Sequence, residues 1–211
     1  MKYIFFMIGL LFFVSCESKK PNESSAAALL ILEGGFGLGG DTALNKVTTK
    51  EDSPGVFLTT VNATSTRNWV FVNLNGSGIQ VLEADSWDLR FRRFLIGTNS
   101  GTSGSGSGAA CKTGLTNFNA VTIVTTCSTS FQVDSIQSQT GGGGGAGDVN
   151  DSANPEMFEW YSYNNTILTA KSEVYIVRGK DGTKKYKVQM TDYYSMAGTS
   201  GYPTFRWAKL N

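Results

Sequence analysis

The sequence contains no histidine among its 211 residues. Histidine is the usual general base of serine and cysteine hydrolases and a common ligand of zinc and of haem iron. Its absence excludes Ser-His-Asp and Cys-His catalytic arrangements, histidine-based metal sites and histidine-ligated haem. Any function of this chain therefore depends on other side chains.

Neither sign of charge is in excess, because 18 Lys and Arg residues face 17 Asp and Glu residues. Proteins that bind nucleic acid usually carry a strong basic patch, and none stands out along this sequence. We therefore expect no nucleic-acid partner. We interpret Glu156, Glu159 and Asp134 as ordinary solvated acids, which leaves no catalytic residue and predicts a protein that is not an enzyme.

The apolar run at residues 3–14 is too short to span the hydrocarbon core of a bilayer comfortably. Lys2 precedes the run, and the small residue Ser15 and then Cys16 follow it, which is the layout of a signal peptide. We predict that residues 1–15 are removed, that Cys16 carries a lipid anchor and that residues 16–53 form a tether. Secretion with a free Cys16 is the alternative.

Cysteine is scarce, with three residues in the chain. Setting Cys16 aside leaves Cys111 and Cys127, and an even pair in an exported protein favours a disulfide. Two separate buried thiols are the alternative, because the sequence alone does not place the two Cα atoms within bridging distance.

Sustained helical spacing is also absent, and from Val56 onward short β-rich runs alternate with Gly, Asn, Asp and Ser. We predict an all-β domain over residues 54–211 with Gly-rich loops. Candidate strands are residues 69–74, 87–92, 121–124, 131–133, 173–178, 183–190 and 204–207. An Asp-Gly turn at residues 179–182 should close a hairpin.

The strand at residues 87–92 alternates between apolar and charged side chains, so we expect Arg90 and Arg92 in solvent. Two Gly-rich stretches, at residues 101–108 and 141–145, interrupt the strands. Neither can bury much apolar area, and we predict that both are mobile surface loops.

Three residues are candidates for ligand binding. Met157 and Met196 lie in loop-like sequence beside aromatic clusters, and a thioether sulfur can ligate haem iron. Tyr161 lies near Met157, and a tyrosine phenolate can also ligate haem. Packing in the core is the alternative for all three. Met190 shares a strand face with other apolar residues, which predicts a core role.

A series of motifs, in this order along the chain, resembles the HmuY-like haem-binding lipoproteins. The motifs are a Trp-Asp strand followed by Thr-Asn-Ser-Gly at residues 86–101, Phe-Gln-Val-Asp at 131–134, Trp-Tyr-Ser-Tyr at 160–163, Val-Tyr-Ile-Val-Arg before the Asp-Gly turn at 174–182, Tyr-Lys-Val at 186–188, Tyr-Tyr at 193–194 and Phe-Arg-Trp at 205–207. The similarity covers about residues 68–207.

The resemblance implies a single antiparallel β-sandwich-like domain with a pocket between loops, lipid-anchored at the outer membrane or cell surface, with a periplasmic position as the other option. It implies haem, or a haem-carrying protein, as a partner. Members that bind haem place His or Met ligands on both sides of the Trp-Tyr-x-Tyr strand. Here the upstream loop offers Met157 as a single axial ligand, and residues 164–171 offer neither residue type.

We therefore expect a protein that binds haem or another small planar or apolar ligand without catalysis. The alternative is a surface interaction or adhesion lipoprotein on the same scaffold that has lost haem binding.

Overall fold

A computed structural model describes residues 44–75, 77–142 and 147–211. The signal peptide, Cys16 and most of the proposed tether lie outside these residues. The strands are β1 Val47–Ser53, β2 Val56–Val61, β3 Val70–Asn73, β4 Ile79–Val81, β5 Leu89–Arg92, β6 Leu95–Thr98, β7 Ala109–Lys112, β8 Ser135–Gly142, β9 Gly147–Ala153, β10 Tyr161–Asn164, β11 Ile167–Ala170, β12 Val174–Arg178, β13 Lys185–Tyr194 and β14 Ser200–Leu210. In the described part of the chain, one short α-helix, α1, spans Pro155–Phe158, and one 3-10 helix spans Phe118–Ala120.

Two antiparallel sheets form the body of the domain, as the all-β prediction requires. A six-stranded sheet has the order β1-β2-β14-β13-β12-β7, and a four-stranded sheet has the order β4-β3-β5-β6. Side chains from both sheets belong to one buried cluster, and Phe91 of β5 stacks on Phe205 of β14 with ring centroids 5.2 Å apart. The two sheets therefore pack face to face as a sandwich.

The six-stranded sheet joins strands that are distant in sequence, and the alternating apolar residues of its strands face the core. In β14, Phe205 and Trp207 face the core between the sheets, and Trp207 donates from Nε1 to Thr59 Oγ1 of β2 at 2.9 Å. β14 lies between β2 and β13, so the end of the chain occupies the middle of the sheet. This placement ties the two ends of the described chain together.

The predicted Asp-Gly hairpin is confirmed between β12 and β13. Gly182 has a φ of +76°, in the left-handed region, which a residue without a Cβ adopts without strain. Asp181 Oδ1 accepts hydrogen bonds from the backbone amides of Thr183 and Lys184, at 2.8 and 2.9 Å. These bonds hold the pKa of Asp181 well below its usual range.

The segment assigned to the tether contributes one strand to the domain. β1 pairs with β2 from Val47 opposite Val61 to Ser53 opposite Val56. Its exposed, charged residues, Lys50, Glu51 and Asp52, lie on the outermost strand of the sheet, where charge opposes pairing with another chain.

Residues 113–131, called here the cover segment, lie on the outer face of the six-stranded sheet. A second buried cluster joins Phe118 and Val121 of this segment to Val174, Ile176 and Ala208 of the sheet. The predicted strands at residues 121–124 and 131–133 are wrong: residues 122–125 form a turn, and Gln132 makes an isolated bridge with Ala110. Their β-branched residues cover a sheet instead of extending one.

A disulfide between Cys111 and Cys127 attaches the cover segment to β7, with Cα atoms 6.0 Å apart. The expected pairing is therefore present. Within the described ranges, no helix has the length and apolarity needed to cross a bilayer.

Replacing both cysteines, Cys111→Ala with Cys127→Ala, should lower the free energy of unfolding by about 3 kcal/mol, because the closed loop of the unfolded chain is released. Urea unfolding followed by tryptophan fluorescence measures the loss. Reductant should lower the wild-type midpoint to that of the double variant and leave the variant unchanged. A wild-type midpoint insensitive to reductant would contradict the prediction.

Candidate functional site

The helix α1 and the start of β10 carry two of the three candidate ligand-binding residues. Asn154 caps α1, since its side chain accepts a hydrogen bond from the amide of Glu156 at 3.1 Å. Pro155 follows at the first helical turn, where a missing N–H costs nothing. This short, capped helix turns Met157 and Phe158 into the core.

An aromatic cluster surrounds this region. Trp160 donates from Nε1 to the carbonyl of Phe94 at 2.8 Å, which fixes the start of β10 against the β5–β6 turn. The ring of Tyr161 meets the rings of Phe94 and Trp160 edge to face, with centroids 5.2 and 5.5 Å apart. Phe158 also contacts Phe94. Aromatic faces of this kind suit a planar ligand, but here they pack on one another.

Two hairpins that belong to neither large sheet meet beside this cluster. They are β8–β9 and β10–β11. The hydroxyl of Tyr161 on β10 donates to Gln139 Oε1 on β8 at 3.2 Å. Leu168 of β11 donates its amide to the hydroxyl of Tyr194 at 2.9 Å, which attaches the second hairpin to the six-stranded sheet. Burial raises the pKa of Tyr161.

The three candidate ligand-binding residues do not form one site. Met157 has no exposed surface, Tyr161 is buried, and Met196 is fully exposed in the β13–β14 connection. Met196 lines a separate cleft of about 390 Å³, together with Leu58, Thr60 and Tyr194 among others. Met157 and Tyr161 belong to the same buried cluster, whereas Met196 stands apart from it. Met190 is buried in the core, as predicted.

The interpretation of Asp134 as a solvated acid is wrong. Asp134 is buried, and its carboxylate accepts four hydrogen bonds. The donors are the amide of Thr98 at 2.8 Å, Thr98 Oγ1 at 2.6 Å, Asn154 Nδ2 at 3.1 Å and the hydroxyl of Ser103. Burial raises the pKa of Asp134, and these hydrogen bonds oppose the rise.

The prediction that Arg90 is in solvent is also wrong. Arg90 is buried, and its Nη2 donates to Ser103 Oγ at 2.8 Å and to the carbonyl of Ser152 at 2.9 Å. Its guanidinium also lies 4.0 Å from the ring centroid of Trp69. Burial lowers the pKa of Arg90, and the charge of Asp134 opposes that shift. Arg92 is partly buried and forms an ion pair with Asp151.

The Gly-rich stretch at residues 101–108 is held by hydrogen bonds, contrary to the prediction of a mobile loop. Gly106 donates its amide to Asn99 Oδ1 at 3.0 Å, Ser107 to the carbonyl of Lys180 at 2.8 Å, and Thr102 to the carbonyl of Asp134 at 3.1 Å. A Cβ at Gly101 would lie 2.1 Å from the Asp134 carbonyl oxygen. Glycine is needed there for close approach.

A signal for this buried polar centre exists in the sequence. Ser, Thr and Asn at residues 98–103 are short donors that can satisfy a carboxylate, and a Val-Asp pair follows at residues 133–134. The sequence does not show that the two segments meet. Across the described ranges, no three His, Cys, Asp or Glu side chains cluster closely enough to hold a metal ion.

Comparisons with known proteins agree with this architecture. The family model for the HmuY protein matches residues 65–207. A Bacteroides vulgatus structure described as a HmuY-like haem-binding protein is 21% identical, with a TM-score of 0.59 over 77% of this chain and 96% of that chain. A Bacteroides fragilis structure described as a lipoprotein is 21% identical, with a TM-score of 0.58 over 76% and 92%.

The apo HmuY analogue of Tannerella forsythia is 20% identical, with a TM-score of 0.56 over 80% of this chain and 98% of that chain. At such identities these structures support the fold alone. No curated protein matches the sequence.

Replacing Asp134 by asparagine should lower the free energy of unfolding by about 1–3 kcal/mol. The new side-chain NH2 group can only donate, and it would face Asn154 Nδ2, which is itself a donor. Urea unfolding measures the loss. Asp85→Asn is the matched control, since Asp85 is exposed and accepts only a local bond from the amide of Leu82. Equal effects of the two substitutions would contradict the prediction.

The same pair of variants tests the raised pKa of Asp134. The folded protein holds this proton to a higher pH than the unfolded chain, so the contribution of Asp134 to stability falls as pH rises from about 4. The deficit of Asp134→Asn relative to the wild type should therefore be largest near that pH and shrink with rising pH. A deficit that grows with pH would show that the carboxylate is stabilised in its ionised form.

Proposed function

The chain belongs to the HmuY family, and on that premise we propose that it is a lipid-anchored cell-envelope protein that binds haem or a similar planar ligand without catalysing a reaction. Family membership carries the proposal. The residue chemistry around α1 supports it, because a thioether and several aromatic rings lie where two hairpins meet.

Met157 is the residue that would hold haem iron, through its thioether sulfur. Haem would supply the metal and a flat apolar surface, and the rings of Tyr161 and Phe158 would pack against that surface. A soft sulfur donor suits haem iron, and no histidine competes for this role. The donor set therefore fits haem in kind.

Access to Met157 requires movement, because this side chain is completely buried. The β8–β9 and β10–β11 hairpins are the elements to move, since each has two strands and lies outside the large sheets. Separating them breaks the bond between Tyr161 and Gln139. Binding then includes the cost of opening, which lowers the apparent affinity.

Titration of the purified protein with ferric haem tests the proposal. We expect a Soret shift at micromolar haem, and Met157→Leu should weaken binding about tenfold or more, since it keeps the volume of the side chain but removes the sulfur. Met190→Leu is the matched control, because Met190 is equally buried but lies in β13. It should bind as the wild type does.

No Soret shift in the wild type would overturn haem binding. An unchanged shift in Met157→Leu would retain haem binding and remove Met157 from the site. Met196→Ala should leave the titration unchanged, because Met196 lies in the separate exposed cleft.

The lipid anchor at Cys16 is a second part of the proposal, and it rests on the signal-peptide layout of residues 1–16. Cys16→Ser should abolish incorporation of labelled palmitate and move the protein from the membrane fraction to the soluble fraction of cells. Ser18→Ala is the control and should keep both properties. Continued labelling of Cys16→Ser would contradict lipidation at this residue.

One observation favours an interaction or adhesion protein as the second candidate function. Met157 and Tyr161 are buried in one cluster, and Met196 is exposed and lies outside that cluster, so no exposed ligand set is present among the described residues. We would expect a scaffold that has lost haem binding to have its remaining Met and Tyr side chains packed in the core in this way.

A further inference from the structure

The cover segment and the residues after it form an uncharged stretch on the surface of the protein. No Asp, Glu, Lys or Arg occurs at residues 113–133. The buried residues Phe118 and Val121 attach the segment to the sheet. Two adjacent β-branched apolar residues of this stretch are exposed, Ile123 at 48% and Val124 at 83%.

Ile123 and Val124 occupy the two central positions of a turn. Thr125 donates its amide to the carbonyl of Thr122 at 3.0 Å, and Thr122 donates its amide to Thr125 Oγ1 at 2.8 Å. Central turn positions usually hold Gly, Pro, Asn, Asp or Ser, because those residues stabilise the bend. Two bulky apolar residues there break this local rule, and such conflicts point to function.

The turn is fixed before any partner arrives. Cys127, two residues beyond it, is bonded to Cys111, and Lys187 Nζ donates to the carbonyls of Phe118 and Val121 at 3.1 and 3.0 Å. A preorganised loop loses little conformational entropy when it binds. The two side chains are therefore presented in one geometry.

The charged groups in contact with the cover segment are mostly cations. Lys187 and Arg206 lie over the ring of Phe118, and Arg178 and Lys185 lie over the ring of Phe131. The acids that reach the segment lie at its ends: Glu173 accepts from the amide of Gly114, and Glu156 from Thr129 Oγ1. Asp52 pairs with Arg206.

From this arrangement we propose that the turn at residues 122–125 inserts Ile123 and Val124 into the interfacial region of an anionic bilayer. Apolar side chains favour the headgroup and acyl boundary, and nearby Lys and Arg favour anionic lipid. Because the surrounding surface carries no charged side chain, contact with lipid avoids the larger cost of desolvating ionised groups. This insertion does not depend on haem binding.

Photocrosslinking in the full chain tests the proposal. Val124→p-benzoylphenylalanine is compared with Ile167→p-benzoylphenylalanine, because Ile167 is an apolar residue at 58% exposure in the β10–β11 hairpin. Both chains are mixed with vesicles of phosphatidylcholine and phosphatidylglycerol. Any attachment through the N-terminal apolar run is common to both chains, so their difference reports on the turn.

We expect lipid adducts at position 124 and few at 167. Adding Ile123→Asp to the first chain should reduce its lipid adducts about tenfold, since an apolar side chain that would insert into the bilayer is replaced by a charge. Vesicles of phosphatidylcholine alone should give fewer adducts at 124.

Equal adducts at 124 and 167, or none at 124, would overturn the proposal. Adducts from position 124 to a protein, in membranes of the native cell, would also overturn it and assign the turn to a protein interface.

Discussion

One buried carboxylate, that of Asp134, joins the parts of this molecule on which its proposed function depends. It accepts hydrogen bonds from Thr98 at the end of β6, from Ser103 in the Gly-rich stretch and from Asn154 before α1. Asn154 in turn caps the helix that carries Met157. The position of the proposed haem ligand is therefore set by a polar centre in a different part of the chain. A buried acid is costly unless it is hydrogen-bonded, and here the four donors offset part of that cost, since burial still leaves the pKa of Asp134 raised.

The strands that could be predicted from sequence are those that local turn residues and alternation identify without knowledge of the neighbouring strands. Residues 173–190 form a hairpin closed by Asp-Gly, and Trp207 and Phe205 alternate with polar residues, so local chemistry is enough. Arg90 could not be placed in this way. The alternation in β5 predicts that the side chain of Arg90 faces solvent. In the fold, Ser152 of the β8–β9 hairpin, about sixty residues away in sequence, covers it. Alternation identifies two faces of a strand, and only the fold decides which is covered.

The same reasoning explains why the strand predicted at residues 121–124 is absent from the structure. A run of Val, Thr, Ile and Val has strand propensity, but propensity describes residues that suit a packed, half-buried surface. Val121 packs in the buried cluster between the cover segment and the sheet, whereas Ile123 and Val124 are exposed.

The candidate ligand-binding residues show a similar limit of prediction from sequence. Met157 and Tyr161 are close along the chain and lie in one buried cluster, whereas Met196 lies outside that cluster, and no local sequence pattern indicates this difference.

The six-stranded sheet carries a core on each face, and this separates the two proposed activities. In β12, Tyr175 and Val177 face the sandwich core, while Val174 and Ile176 face the cover segment. A ligand that reaches Met157 has to disturb the first core and the hairpins that close it. The turn at residues 122–125 belongs to the second core, which the disulfide and the cations over Phe118 keep in place. If the hairpins open for a ligand as proposed, the turn would stay in place, and the proposed contact of the turn would be maintained while the other face changes.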